Sequence, residues 1–337
     1  MRMGMVARRV AGAFLSGVVT LWAIATGTFF LMEYAPGGPE SGERRLPPEV
    51  EEANLVRLGL AEWVSSPCED GSLRCRRVEH RPMWQRYFAM LRRVASLDLG
   101  VTYSSLGERS VQENLAEGLP VSAAVGGLAL LIGLGLGVPM GLLGAARAES
   151  GLDRVLRAMA TALVCIPSIV LGPLLMQLFA IRLRVFPVAG MESPIALVLP
   201  SATLGLILAG VLQRMTRAGA KGFLEGPVAA NLRARGVGEA KLMFVHALRH
   251  AAIPMLGYLP PAVASLLTGS LVVETLFGLP GVARYLVGGA LNRDHPMVMG
   301  VVLAYSALLV VLTTLSEILL PVLDPRVRSA ARREEAN

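Results

Sequence analysis

Charged side chains are scarce in this sequence of 337 residues, because only 17% of them are Asp, Glu, Lys or Arg. Soluble globular proteins carry about 25% charged residues. Apolar residues make up 53% of the chain, which leaves too little polar surface to enclose one water-soluble core of this size. The composition excludes an ordinary soluble protein and indicates an integral membrane protein.

Catalytic and nucleotide-binding motifs are also missing. The sequence contains no Gly-x-x-x-x-Gly-Lys-Ser/Thr run, no Gly-x-Ser-x-Gly elbow and no His-Glu-x-x-His. We therefore expect no P-loop, no catalysis by this chain and no cofactor. His246 and His250 have a spacing that can bind a metal, with Glu239 nearby. The same spacing is typical of a solvated helix face, and we predict no metal site.

Cysteine is rare, with three residues in the chain. Cys165 lies inside an apolar run and is expected to be a small core residue. Cys68 and Cys75 lie in a polar segment, at a spacing that does not match zinc-binding patterns. They are predicted to form a disulfide that closes a short loop, if the segment faces an oxidising compartment.

Six charge-free apolar windows are long enough to cross a bilayer as helices, which requires about 20 residues each. Open strands are excluded because their edge groups would stay unpaired in lipid. The first window is too long for a signal peptide and no Ala-x-Ala site follows it, so we predict a retained span. The windows are residues 10–32, 118–146, 158–181, 193–213, 251–273 and 296–316. The predicted fold class is all-α integral membrane, with six transmembrane helices.

Positive residues cluster in one set of loops between these windows, which indicates that those loops are cytoplasmic. Both termini are then cytoplasmic. The segment 33–117 is external, since loops longer than about 60 residues translocate largely regardless of charge. The predicted parts are 1–32 with the first span, the periplasmic segment 33–117, the transmembrane core 118–321 with its loop 214–254, and the tail 322–337. Because the arginines flank apolar runs, the net charge of +7 fits membrane topology and no nucleic-acid partner is expected.

The external segment contains one helical pattern. Its apolar residues recur at helical spacing and are Trp84, Tyr87, Phe88, Leu91, Val94 and Ala95. Two interpretations stay open at this point. The helix either packs on the membrane face of the protein or docks a partner.

Glycines crowd the second window. Gly137 and Gly141 form a small-xxx-small pair, which lets two helices approach closely. Close packing within one subunit explains this pair. A flexing gate helix, kinked at Pro139, is the alternative.

The loop between the fourth and fifth windows contains a short helix signal. Gly226 breaks the chain, Pro227 suits a first helical turn, and Gly236 suits a helix stop. The pattern predicts a short, solvent-facing helix with an exposed apolar edge at Val228 and Leu232. A second helix is predicted from Gly238 to Ile253, with Pro254 at the membrane entry. A partner groove would accept such an exposed edge, although a solvated loop without a partner fits the spacing equally well.

A series of motifs runs in order along nearly the whole chain. Its members are Ala35-Pro36-Gly37-Gly38-Pro39, Asp98-Leu99-Gly100, Leu119-Pro120, Arg214-Met215-Thr216-Arg217-Ala218, Leu232-Arg233-Ala234-Arg235-Gly236, His246-Ala247-Leu248-Arg249-His250-Ala251-Ala252-Ile253-Pro254, Val272-Val273-Glu274-Thr275-Leu276-Phe277-Gly278-Leu279-Pro280-Gly281, Arg293-Asp294-His295-Pro296 and Leu323-Asp324-Pro325-Arg326-Val327-Arg328. The series resembles the binding-protein-dependent ABC permeases. It is most similar to B-type subunits of the dipeptide/oligopeptide/nickel branch, and the loop 214–254 corresponds to their EAA loop.

The resemblance implies the type I ABC importer permease fold and the role of a permease subunit in a bacterial inner membrane. Such a subunit moves peptides, or a related solute such as a nickel complex, opine or glycan, by alternating access. The implied partners are a second permease subunit, two cytoplasmic ATP-binding subunits that supply the ATPase activity, a periplasmic solute-binding protein and the lipid bilayer. In this family the short helix docks in a groove of the ATPase. The residues expected to couple are Leu232, Arg233, Ala234, Arg235, Gly236 and Glu239.

The chain departs from the family pattern in two places. The EAA positions read Ala230-Asn231-Leu232, so the acidic residue is missing. The chain is also longer than the family norm between Leu60 and Pro82, and this insertion carries both cysteines of the predicted disulfide.

Glu274 and Phe277 are candidates for the translocation pathway or a gate. Glu274 follows a long apolar run, and an ionisable group at membrane depth is a functional candidate. The alternative for Glu274 is a snorkelling residue at the membrane interface. Among whole-protein alternatives, an ion-coupled secondary transporter usually carries intramembrane charges, which the six windows lack. A membrane-embedded hydrolase would need a nucleophile and a base within the spans, and none is apparent.

Overall fold

The computed structural model describes residues 2–34, 56, 61–66, 75–103 and 109–323. Its elements are α1 (Arg2–Tyr34), β1 (Ala61–Ser66), β2 (Cys75–His80), α2 (Met83–Ala95), α3 (Val111–Ala146), α4 (Gly151–Cys165), α5 (Ser168–Leu175) with a π-helix (Met176–Arg182), a 3-10 helix (Pro194–Leu197), α6 (Val198–Leu224), α7 (Pro227–Ala234), α8 (Glu239–Lys241) with a π-helix (Leu242–Ala247), α9 (Leu248–Leu276), α10 (Val282–Leu291) and α11 (His295–Leu323). Among these described residues the predicted all-α class is confirmed, apart from the small hairpin of β1 and β2.

Five helical stretches of the described chain are long and apolar enough to cross a membrane. They are Leu15–Tyr34, Val111–Ala146, Pro194–Leu224, Glu239–Leu276 and His295–Leu315. A bent pair of helices, Gly151–Cys165 and Ser168–Arg182, supplies a sixth candidate span. The count of six agrees with the sequence if the pair is one span.

The third predicted window does not form one straight helix, and this corrects the sequence-based expectation. The two helices of the pair meet at an angle of 108°. Ile166 between them is extended, with φ −82° and ψ 120°. The reason is local, because a proline clashes with a helical residue before it, and Pro167 follows Ile166.

Cys165, at the end of α4, is exposed and is not the core residue predicted. In a membrane protein the outer surface of a span faces lipid, so an apolar side chain loses little by staying there.

The chain separates into two compact units. The core unit is formed mainly by Pro120–Ala283, and the hairpin unit by the described parts of Leu15–Leu119 together with Arg284–Ala307. The second unit thus joins the first span and the segment after it to a stretch that is distant in sequence.

Helix α6 is the centre of the core unit. It packs against α9, α4 and α5. Leu204, Leu208 and Leu212 are buried in the main hydrophobic cluster. A helix that is apolar on all sides can only be stable when neighbours or lipid surround it, and here protein covers most of it.

Glycines allow α3 to approach α6 closely. A Cβ on Gly137 would lie 2.6 Å from the carbonyl oxygen of Ala209. A Cβ on Gly141 would lie 2.5 Å from Cβ of Thr216. Gly137 and Gly141 therefore allow α3 and α6 to pack closely within one subunit, as the first of the two interpretations predicted.

In the hairpin unit, β1 and β2 are antiparallel, with Ala61 paired to His80 and Ser66 to Cys75. This hairpin lies between Leu60 and Pro82, where the sequence predicts an insertion relative to the family pattern. Cys68 lies outside the described residues, so the disulfide with Cys75 stays a prediction. The helix predicted in the 33–117 segment is confirmed as α2, and the external location of this segment stays a prediction. Met90 and Val94 of α2 pack against a buried cluster of Ala25, Met299 and Leu303.

Candidate functional site

The short helix α7 lies where the sequence predicted it. Gly226 precedes it in an extended conformation and Pro227 is its first residue. Gly236 has φ +80°, a left-handed conformation that a residue with a side chain adopts only at a cost. The amide of Gly236 donates to the Arg233 carbonyl at 2.9 Å, and Val237 to the Leu232 carbonyl at 3.1 Å. These bonds end the helix.

One face of α7 is open and another is anchored. Val228 is 60% exposed, whereas Ala229 is fully buried. Leu232 is half-buried and Arg235 is exposed. The predicted apolar edge is therefore confirmed at Val228 and is only partial at Leu232, which uses part of its surface for packing.

Arg233 fixes α7 to the helices on both sides of it. Its guanidinium forms two bonds with Glu239, from Nε to Oε1 at 2.7 Å and from Nη2 to Oε2 at 3.3 Å. A third nitrogen, Nη1, donates to the Leu224 carbonyl at the end of α6 at 3.0 Å. The hydrogen bond to Glu239 raises the pKa of Arg233. Arg233 and Glu239 are thus brought together, and Arg233 acts within the chain as a brace between α6, α7 and α8.

A buried ion pair connects the C-terminal part of α6 to α4. Asp153 is fully buried, and its carboxylate accepts hydrogen bonds from Nε and Nη2 of Arg217 at 2.5 and 2.6 Å. It also accepts the backbone amide of Glu149 at 3.0 Å. Such two-point bonding between Arg and a carboxylate fixes orientation as well as distance. Sequence reasoning missed this clamp, although Ser150 and Asp153 have the spacing of a helix-capping box, and the Ser150 hydroxyl does cap α4.

A second, exposed pair lies beside the clamp. Lys221 donates to the Glu149 carboxylate at 2.6 Å. This bond holds the pKa of Glu149 below its usual range. Because Glu149 is 70% exposed, the pair is screened by water and is expected to add little to stability.

His246 and His250 lie beside an aromatic ring rather than around a shared centre. Their rings are 6.4 and 5.7 Å from the ring of Phe223. In the part of the chain that the structure describes, no three His, Cys, Asp or Glu residues are grouped as metal ligands. The two histidines line the junction between α6 and α9.

Glu274 and Phe277 are both buried, with exposures of 0% and 2%. The interpretation of Glu274 as a snorkelling interface residue is therefore wrong. Its Oε2 accepts the amide of Ala283 at 3.1 Å, in the first turn of α10. The neighbouring amide of Val282 donates to the Ser122 hydroxyl at 3.0 Å. A carboxylate is stabilised there because free amides and the positive end of the helix dipole meet at a helix N-terminus. The role of Glu274 and Phe277 on the translocation pathway or in a gate stays a prediction.

Gly281→Ala is expected to destabilise the protein by about 1–3 kcal/mol, as overpacking of a core does. A Cβ at this position would overlap the Glu274 carboxylate and lie 2.9 Å from Oγ of Ser122. Unfolding in mixed detergent micelles measures the effect. Gly288→Ala is the control, because no atom lies within 4 Å of its added Cβ. Equal stability of the two variants would contradict the assigned contact.

The fold of the chain is similar to that of a known transporter subunit. The solved MetNI methionine ABC transporter, in inward-facing conformations, contains a chain that matches with a TM-score of 0.53 at 17% identity. The match covers 63% of this chain and 97% of that chain. At this identity the likeness shows the fold alone.

Sequence comparisons extend over almost the full chain. It is 33% identical over 316 residues to the oligopeptide transport system permease protein OppB of Salmonella typhimurium, which covers 93% of this chain and 97% of that protein. It is 31% identical over 322 residues to the dipeptide transport system permease protein DppB of Bacillus subtilis, at coverages of 96% and 98%. The family described as binding-protein-dependent transport system inner membrane component matches residues 137–329. With its apolar spans, its buried α6 and its short exposed α7, the chain belongs to the family of binding-protein-dependent transport system inner membrane components.

Proposed function

We propose that this protein is the permease subunit of an ATP-driven importer that carries peptides across the bacterial inner membrane. The observation that carries the proposal is α7, an exposed short helix braced to the most buried span of the core unit. The near full-length similarity to oligopeptide and dipeptide permeases supports the substrate class. The proposed partners are a second permease subunit, two ATP-binding subunits and an external solute-binding protein. The proposed orientation places both termini and α7 on the cytoplasmic side.

In the proposed mechanism, α7 docks in a groove of an ATP-binding subunit through Val228, because a large apolar side chain that is 60% exposed gains most from such burial. Movement of the ATP-binding subunits then displaces α7. Since Arg233 binds both the α6 carbonyl of Leu224 and Glu239 at the start of α8, the displacement passes to two spans at once. The Asp153–Arg217 clamp passes it to α4.

The family position that normally carries an acid is Ala230 here, and its side chain is exposed. Docking in this chain therefore does not use a carboxylate at that position. Arg235, directly after the last residue of α7, is exposed, and we propose that it pairs with an acidic rim on the ATP-binding subunit.

The decisive experiment is Val228→Asp, assayed for co-purification with the ATP-binding subunits and for peptide uptake in vesicles. Placing a charge in an apolar contact is expected to weaken docking by about tenfold or more, which corresponds to at least about 1.4 kcal/mol. Ala240→Asp adds the same charge at an exposed position of α8 and serves as the control.

Gly236→Val provides an independent variant, because a β-branched residue cannot adopt φ +80° without strain. It should misplace the end of α7 and lower uptake while leaving membrane insertion intact. If neither variant changes assembly or uptake, the coupling role of α7 is wrong.

A further inference from the structure

A cavity of about 150 Å³ lies inside the hairpin unit, between the end of α1, one face of α2 and the start of α11. Its floor is apolar and includes Phe29, Met90 and Met299. A cavity of this size holds one small group, such as a benzene ring. It is therefore large enough for a small head group and too small for a peptide or a pair of acyl chains.

The cavity carries more positive than negative side chains. Arg81, Arg86 and Arg93 line it, against the carboxylates of Glu33 and Asp98. Arg86 forms an ion pair with Glu33, and Arg81 with Glu62 of the inserted hairpin, which lies outside the cavity lining.

Two further charged residues line the cavity, Asp98 and Arg93, and neither takes part in these two ion pairs. The Asp98 carboxylate accepts the Gly100 amide at 2.9 Å. Arg93, which is exposed, forms no ion pair with any residue that the structure describes. Burial raises the pKa of Tyr103 in the wall, so its hydroxyl remains a donor. The Asp98 carboxylate also lines the cavity, and Arg93 and the Tyr103 hydroxyl are the donors there that suit an anion.

The surroundings of the cavity place it at a membrane interface. Trp84 and Phe88, one turn apart on α2, are each 62% exposed. Their surface continues through the stacked rings of Tyr87 and Phe30 to Tyr34, which is 73% exposed near the end of the first span. Exposed Trp and Tyr side chains at the end of a span, here Trp84 and Tyr34, are typical of the head-group level of a bilayer.

We propose that this cavity binds the phosphodiester head group of an anionic phospholipid, in the leaflet that meets the 33–117 segment. Basic pockets between transmembrane helices on the cytoplasmic side bind such head groups, and the same pairing of arginine with phosphate is available at the opposite face. Arg93 and the Tyr103 hydroxyl contact the phosphate oxygens, the apolar floor takes the adjoining glycerol carbons, and the acyl chains stay in the bilayer beside α1. The lipid secures α2, and through Arg81 the inserted hairpin, to the membrane surface. The proposal rests on membership of a membrane family and not on the nature of the transported solute.

The test uses the full chain, purified and incorporated into nanodiscs of equal parts phosphatidylglycerol and phosphatidylcholine. Native mass spectrometry then counts the lipids that stay bound after transfer to detergent. Arg93→Gln is expected to lower retained phosphatidylglycerol by about fivefold, the effect of one interfacial arginine. Arg92→Gln is the matched control, because Arg92 is the exposed neighbour on α2 that does not line the cavity. It should retain the wild-type amount.

Ala89→Trp tests the cavity without changing charge, since Ala89 lines it and a large ring would fill it. It should lower retention as Arg93→Gln does, with an unchanged thermal unfolding midpoint. Equal losses from Arg92→Gln and Arg93→Gln would overturn the proposal in favour of general surface attraction. If millimolar inorganic phosphate displaces the lipid, the cavity is a site for free phosphate and the proposal of a lipid head group is wrong. Normal lipid retention in both cavity variants, with loss of binding to the solute-binding protein, would assign the surface to a protein partner instead.

Discussion

Asp153→Ala is expected to lower the free energy of unfolding by about 3 kcal/mol and to abolish transport. Removal of one partner from a buried ion pair costs about 3–5 kcal/mol, because the other charge stays without compensation. The lower end applies here, since Arg217 keeps 14% of its side chain exposed and regains some water. Unfolding in mixed detergent micelles measures the first effect, and uptake in vesicles the second.

The neighbouring exposed pair supplies the control for this prediction. Glu149→Gln also removes a carboxylate that forms an ion pair, in this case with Lys221. Unlike Asp153, the Glu149 side chain is mostly in water. We expect little change in unfolding and near-normal uptake. The double variant Asp153→Leu with Arg217→Met should recover most of the stability, because Arg157, the other ion-pair partner of Asp153, is 43% exposed and regains water. It should not recover uptake if the clamp transmits movement. Similar behaviour of Asp153→Ala and Glu149→Gln would contradict the importance of the clamp.

Gly137→Val is expected to destabilise the core unit by about 3 kcal/mol or more, at the upper end of the effects of overpacking. The added Cβ would lie 2.6 Å from a backbone oxygen of α6 and 2.9 Å from Cβ of Leu212. Backbone cannot rotate away as a side chain does, so α3 and α6 must separate. The folded fraction in detergent, measured by size-exclusion chromatography, should fall together with the unfolding midpoint.

Gly135→Val is the control for the close approach, because no atom lies within 4 Å of a Cβ at that position on the same helix. Both variants introduce the same side chain into α3 with the same helix propensity. A difference between them therefore reports the contact with α6 alone. If Gly135→Val is as damaging as Gly137→Val, close packing of these two helices is not what the glycines provide.

Local signals in the sequence predicted the candidate site better than they predicted its supports. The boundaries of α7 follow from Gly226, Pro227 and Gly236, whose backbone preferences act within a few residues. Arg233 and Glu239 were expected to contact a partner, yet they bind each other. Spacing showed that the two were near in sequence but could not show where their side chains point.

The bend before Pro167 shows a different limit. The residue that causes it is visible in the sequence, but an apolar window is defined by composition, and composition is the same for a straight and a broken helix. The helix α9 shows the opposite case, since it continues through Pro254 to Leu276 where a boundary was expected. In a membrane helix, neighbouring groups satisfy the backbone carbonyl that a proline leaves free.

The sequence by itself determined the membrane class, the number of apolar windows and the position of the short helix α7. These properties depend on the cost of leaving backbone and charge in lipid and on short-range backbone preferences, which are carried by consecutive residues. Only the tertiary structure decided the partners of Asp153, the burial of Glu274 and the cavity beneath α2. Arg217 lies 64 residues from Asp153, and Ala25 and Met299 meet in one cluster from opposite ends of the chain. Such pairings depend on how helices pack in three dimensions, because many alternative packings satisfy the same apolar pattern.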